Sequence, residues 1–166
     1  MLVTGSSRGI GRTSAIAYAR AGASGIIITG RSIALLDQVE KEVIAAAETR
    51  GKGSTVKVLK LILDVTDEAV VNDAARRVRE AFGRLDILVN NAGYLAPFAS
   101  VHETKTKDWN QTWSANITGI FLVTRAFAPL LASSENGLKI IVNVSSVVGL
   151  QVAPNYVAYA VSIKVT

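Results

Sequence analysis

The sequence predicts an α/β protein in which a parallel sheet is covered by helices on both faces. Three observations carry this. Short β-branched runs alternate with segments of helical apolar period along the chain, the pattern of strands joined by crossover helices. The strand candidates are continuous apolar runs rather than alternating ones, as burial on both faces requires. Polar or glycine-rich stretches follow strand after strand, and wound α/β sheets bind ligands beyond the carboxyl ends of their strands.

The elements follow in order. The apolar start, residues 1–3, leads into Thr4-Gly5-Ser6-Ser7-Arg8-Gly9-Ile10-Gly11 and a helix-like run at 13–20. Residues 25–29 read as a buried strand. Ser32 is an N-cap candidate for a helix with Leu36, Val39, Val43 and Ala47 on one face. The glycines at 51 and 53 end it, and 55–63 is the third strand. Thr66 is the next N-cap candidate. Val70, Ala74, Val78 and Phe82 then recur at helical spacing until Gly83. Residues 85–89 form the fourth strand, followed by Asn90-Asn91-Ala92-Gly93. A long helical region, in one piece or two, covers about 108–131. Residues 139–144 form the fifth strand, ending at Ser145-Ser146, and 155–166 begin another helix.

Length and composition bound the function. The 166 residues suffice for one domain, 1–166, and the 49% apolar and 19% charged fractions mark a folded chain. The absence of cysteine excludes disulfides, thiolate metal sites and cysteine nucleophiles. No uninterrupted apolar run reaches the roughly 18 residues of a membrane span, and no signal peptide is evident. A cytoplasmic protein without membrane or nucleic-acid partners is expected. The net charge of +5 lacks the aromatic-studded basic cluster of a nucleic-acid surface. No metal site is expected, because the one histidine, His102, has no ligand cluster around it. Trp109 and Trp113, four apart, read as a packing pair.

The stretch from Thr4 to Gly11 places a tight glycine turn at a helix N-terminus. Unpaired N–H groups and the helix dipole favour a phosphate there, and glycine lets a pyrophosphate approach the backbone. Its Gly-x-x-x-Gly-x-Gly spacing departs from the common Gly-x-Gly-x-x-Gly. Many dinucleotide folds carry a carboxylate for the ribose 2′-OH at the end of the second strand; here Gly30-Arg31 stands instead. A guanidinium suits a 2′-phosphate, and Arg8 supplies a second cation, so NADP is favoured over NAD.

Together these motifs resemble the classical short-chain dehydrogenases/reductases. Thr4–Gly11 resembles their cofactor turn, Asn90–Gly93 their Asn-Asn-Ala-Gly, and Asn116-Ile117-Thr118-Gly119 the segment with their catalytic asparagine. Ser146 is the matching serine, because Tyr159 follows it at the family spacing. The resemblance implies a Rossmann-type sheet of order 3-2-1-4-5 and hydride transfer between a nicotinamide and a secondary alcohol or ketone. It implies that Ser146 orients the substrate, Tyr159 is acid/base, and Asn116 holds a proton-relaying water. Gly5, Ser7, Arg8, Gly9, Ile10 and Gly11 would form the phosphate turn, with Arg31 at the 2′-phosphate. Asp64 and Val65 would lie beside the adenine, and Asn90, Ala92 and Gly93 in the middle of the site. Full-length members are expected to be homo-oligomers acting on small alcohol or carbonyl substrates.

Two departures stand out. The family motif is Tyr-x-x-x-Lys, but the chain reads Tyr159-Ala160-Val161-Ser162-Ile163-Lys164. On a regular helix an i+4 residue lies about 40° from the tyrosine and an i+5 residue about 140° away. Lys164 is therefore expected to point away unless a π-bulge intervenes, and residues 163–166 read as foreign to the motif. The family's last strands and helices also have no counterpart here. The fifth strand should then be an open edge and the chain, made alone, poorly soluble or only marginally stable. The alternative function is accordingly a catalytically inactive NADP-binding fragment.

Overall fold

A computed structural model describes residues 1–51, 53–151 and 154–164. The strands are β1 (Leu2–Val3), β2 (Gly25–Gly30), β3 (Lys57–Ile62), β4 (Ile87–Asn90) and β5 (Ile140–Asn143). They form one parallel sheet of order β3-β2-β1-β4-β5. The helices are α1 (Gly9–Arg20), α2 (Ile33–Glu48), α3 (Glu68–Phe82), α4 (Thr106–Trp113), α5 (Gly119–Ala132) and α6 (Val157–Lys164). A π-helical turn, Ser114–Thr118, joins α4 to α5, and a 3-10 turn, Val147–Gly149, follows β5.

The apolar strands feed two cores, because successive side chains point to opposite faces of a strand. Leu2, Ile27, Leu61 and Leu88 pack with α3 and α5 around Val71, Val78 and Phe127. Val3, Ile26, Ile28 and Val89 pack on the other face with Ala15, Leu36, Val39 and Val43 from α1 and α2. The central strands are thus buried on both faces, as their continuous apolar runs predict. At Gly25 the missing Cβ leaves room for the Phe82 ring, which would stand 2.6 Å from it.

Several local expectations change. The third helix is capped by Asp67, whose carboxylate accepts the Val70 N–H at 3.1 Å. Thr66 is not the cap, because its hydroxyl donates to Asp64 Oδ1 at 2.7 Å. Ser32 stands at the N-cap of α2 without a side-chain bond to the helix. Helix α1 begins at Gly9, inside the glycine turn. The helical run Thr106–Ala132 is long and apolar enough to cross a bilayer by length and composition. Its residues Leu122, Val123, Phe127, Leu130 and Leu131 are nonetheless packed into the core beside α3, as in a core helix. Trp109 and Trp113 do pair, with ring centroids 5.7 Å apart.

Strand β5 is a sheet edge whose Ile140, Ile141 and Val142 are 41%, 44% and 37% exposed. Apolar side chains therefore face water on a row of unpaired backbone groups. Of the last predicted helix, residues 165 and 166 lie outside the described residues.

Candidate active site at the carboxyl edge of the sheet

The chain leaves β1 through a turn held from both sides. Thr4 is buried, and its hydroxyl accepts the N–H groups of Asn91 and Ala92 at 2.9 and 3.0 Å. The Asn91 amide donates back to the carbonyls of Thr4 and Gly5 at 2.8 and 3.2 Å. On the other side the buried Ser6 hydroxyl accepts the Thr29 N–H at 2.8 Å. These bonds tie the turn to the ends of β4 and β2, so its backbone is set before any ligand arrives.

Glycine is required at two points here. Gly5 has φ +63°, and a Cβ on it would stand 2.9 Å from the Ala92 Cα. A Cβ on Gly11 would stand 2.4 Å from Asn91 Nδ2 and 2.6 Å from the Gly5 carbonyl oxygen. The two glycines let the first turn of α1, the loop and the end of β4 close on one another.

Beside this turn lies a cavity of about 500 Å³. Of the residues singled out from sequence, Gly5, Ser7, Arg8, Arg31, Asp64, Val65, Ala92 and Gly93 line it. Gly9, Ile10, Gly11 and Asn90 do not. The first three belong to the opening turn of α1, and Ile10 is 65% exposed. Asn90 is buried on the far side, where its amide donates to Thr124 Oγ1 at 3.1 Å and Asn143 Oδ1 at 2.9 Å. Asn91 lines the cavity in its place, since neighbouring residues of an extended segment point to opposite sides.

The charges at the cavity are Arg8, Arg31 and Asp64. Neither guanidinium forms a hydrogen bond or ion pair among the described residues. The Asp64 carboxylate accepts the Thr66 N–H at 3.0 Å and the Thr66 hydroxyl at 2.7 Å. The Thr66 N–H first, then its hydroxyl and the positive charge of Arg31, hold the Asp64 carboxyl below its ordinary pKa against the opposing effect of burial.

The remaining candidates converge from three elements. Asn116 lies in the π turn and is 2% exposed. Its Oδ1 accepts the Tyr94 N–H at 2.8 Å, while its Nδ2 donates to the Tyr94 carbonyl at 3.0 Å and to Ser162 Oγ at 2.9 Å. Both amide hydrogens are thus used inside the protein, and the side chain's remaining capacity is the second lone pair of Oδ1. The buried Ser162 hydroxyl donates in turn to the Tyr159 carbonyl at 2.8 Å. Ser146 caps the 3-10 turn by accepting the Val148 N–H at 3.3 Å. That turn abuts α6 at Gly149, where a Cβ would stand 3.1 Å from Ile163 Cγ2.

Helix α6 is α-helical from Val157 to Lys164. The π-bulge that could realign Lys164 with Tyr159 is absent from α6; the π turn falls at Ser114–Thr118 instead. Ile163 is buried, whereas Lys164 is exposed and makes no side-chain hydrogen bond or ion pair among the described residues. Thr4, Ser6 and Asn91 lie within the two motifs but receive no role of their own from sequence, and Ser162 lies in the predicted last helix; their part in holding the turn and Asn116 comes from long-range bonds.

The structure thus combines a parallel sheet of order 3-2-1-4-5 with a glycine turn after β1 and a tyrosine-bearing helix after β5, a doubly wound α/β architecture. The family model described as short chain dehydrogenase matches residues 1–164, and the chain belongs to that family of oxidoreductases. It is 47% identical over 159 residues to "Short chain dehydrogenase mpl6" of Monascus purpureus, covering 96% of this chain and 53% of that protein. It superposes on an NAD+-bound xylitol dehydrogenase with TM-score 0.87 and 31% identity, covering 98% of this chain and 58% of the other. A short chain dehydrogenase from Shigella flexneri 2a str. 301 complexed with NADP gives TM-score 0.85 at 34% identity, covering 98% and 65%. The chain spans about half the length of the Monascus purpureus relative and of two others from Monascus ruber that it matches.

Proposed function

We propose that this chain forms the NADP-binding part of a dehydrogenase that interconverts a secondary alcohol and a ketone. The observation that carries the reading is the pair Arg8 and Arg31 lining a cavity that begins at the Gly5 turn, with no carboxylate at the end of β2. The cavity fits a dinucleotide on its own geometry. The glycine turn presents backbone where a Cβ would collide, and the two guanidiniums offer charge-assisted bonds to a 2′-phosphate. Asp64 and Val65 would flank the adenine, and Ala92 and Gly93 the central part. A carboxylate at position 31 would favour a free ribose instead.

When bound, the nicotinamide supplies or accepts the hydride. Tyr159 would give the matching proton to the ketone oxygen, and Ser146 would hold that oxygen. A phenol has an ordinary pKa near 10, so its base form needs a nearby cation near neutrality. Lys164 is the family-like candidate by sequence. Ile163 occupies the i+4 position and is buried, while Lys164 lies about 140° from Tyr159 around the helix. This favours a second reading, in which the chain binds the dinucleotide but lacks proton transfer.

The test is titration with NADPH and NADH, followed by turnover of an apolar ketone before and after Ile163→Lys. NADPH is expected to bind more tightly, and turnover to need the substitution. Tight NADH with negligible NADPH binding refutes the role of the arginines. Turnover by the unaltered chain refutes the inactive reading.

A further inference from the structure

The loop after β4 and the segment after β5 flank Tyr159. From Asn90 to Val101, and again from Asn143 to Ile163, the sequence contains no Asp, Glu, Lys, Arg or His, in a chain that is 19% charged. Among the described residues, large apolar side chains are exposed on both segments, beside the polar Ser145, Gln151 and Asn155. Leu95 is 48% exposed, Phe98 62%, Val147 60% and Leu150 89%.

Two of these segments are fastened together. The Ala99 N–H donates to the Asn155 carbonyl at 3.0 Å, and Ala99 and Tyr156 form a parallel bridge. The Phe98 and Tyr156 rings lie 4.5 Å apart at 39°. Residues 96–97 and Ala99 close against Tyr156 and Tyr159, leaving a cleft of only about 10 Å³. The ring pair is therefore set at the N-terminal end of α6, one turn before Tyr159, with the outer Phe98 ring open to water.

Resting on the oxidoreductase reading, we propose that the substrate is a neutral carbonyl compound with an apolar ring frame, which lies across Phe98 and Tyr156. A phosphate-bearing ligand would require cations on these two segments, and they carry none. They offer the Phe98–Tyr156 ring pair and aliphatic surface, which bind by area and ring contact.

The test is calorimetric titration of the chain with three probes, 2-tetralone, xylitol and acetoacetyl-CoA, with and without NADPH. Only 2-tetralone is expected to bind. Phe98→Ser should weaken it by about tenfold, the size of an aromatic contact, while NADPH affinity stays unchanged because Phe98 is outside the Arg8–Arg31 cavity. Leu150→Ser, at a side chain that is 89% exposed, gives a second variant with little risk to folding and should weaken binding less. Preference for xylitol or acetoacetyl-CoA overturns the proposal, as does unchanged 2-tetralone affinity in both variants. So does loss of self-association in Phe98→Ser without any ketone binding, which would make the rim a contact between copies. Failure of NADPH to bind, with the probe preference intact, would instead count against the dinucleotide reading alone.

Discussion

Replacing Gly11 by alanine probes how tightly the glycine turn closes. Gly11 is buried in the first turn of α1 and is not among the glycines with positive φ, so the new methyl brings no backbone penalty. Alanine in a helix would by itself gain about 1 kcal/mol over glycine. Against that, its Cβ would stand 2.4 Å from Asn91 Nδ2 and 2.6 Å from the Gly5 oxygen. Relieving such overpacking costs about 1–3 kcal/mol. Moving Asn91 also endangers its bonds to the Thr4 and Gly5 carbonyls, worth about 1 kcal/mol each. The net expectation is a loss of about 2–4 kcal/mol. Urea unfolding followed by tryptophan fluorescence measures it, with an unchanged m-value as the check on two-state behaviour. Asn91→Ala in the same background should recover part of the loss, with a coupling of about 1 kcal/mol. A Gly11→Ala chain as stable as the parent, or strict additivity with Asn91→Ala, would refute the steric account.

Other outcomes follow from the same geometry. Ser162→Ala should destabilise by about 1–2 kcal/mol, because Asn116 Nδ2 then loses a buried acceptor; Ser162→Thr, which keeps the hydroxyl, should recover most of it in the same urea assay. Asp64 has a folded pKa below its unfolded value of 3.8, so its contribution is complete above that value and disappears as pH falls through the folded pKa. The stability gap between the parent and Asp64→Asn should therefore be constant from pH 5 to 7 and shrink on acidification below about pH 4. Ile141→Lys places a charge on the open edge strand, 44% exposed at that residue, and should lower light scattering of concentrated samples.

Much of the architecture was legible in the order of residues. Continuous β-branched runs signalled the strands, of which the central ones are buried on both faces, and each helix and strand core lies where its periodicity placed it. Glycine turns and polar strand ends pointed to one rim, because a parallel sheet with crossover helices puts all carboxyl ends on the same edge. The five-residue step from Tyr159 to Lys164 is likewise a property of sequence alone. Tertiary structure decided which of two adjacent polar residues turns toward the cavity. Asn90 faces Thr124 and Asn143, and Asn91 faces the turn, a choice made by strand register and not by composition. It also decided that the helical irregularity sits at Asn116 rather than in α6. Asn116 can grip both the Tyr94 backbone and Ser162 only where three elements meet. The bonds of Asn91 and Asn116 span up to 87 residues of sequence, and local propensity carries no information over that distance.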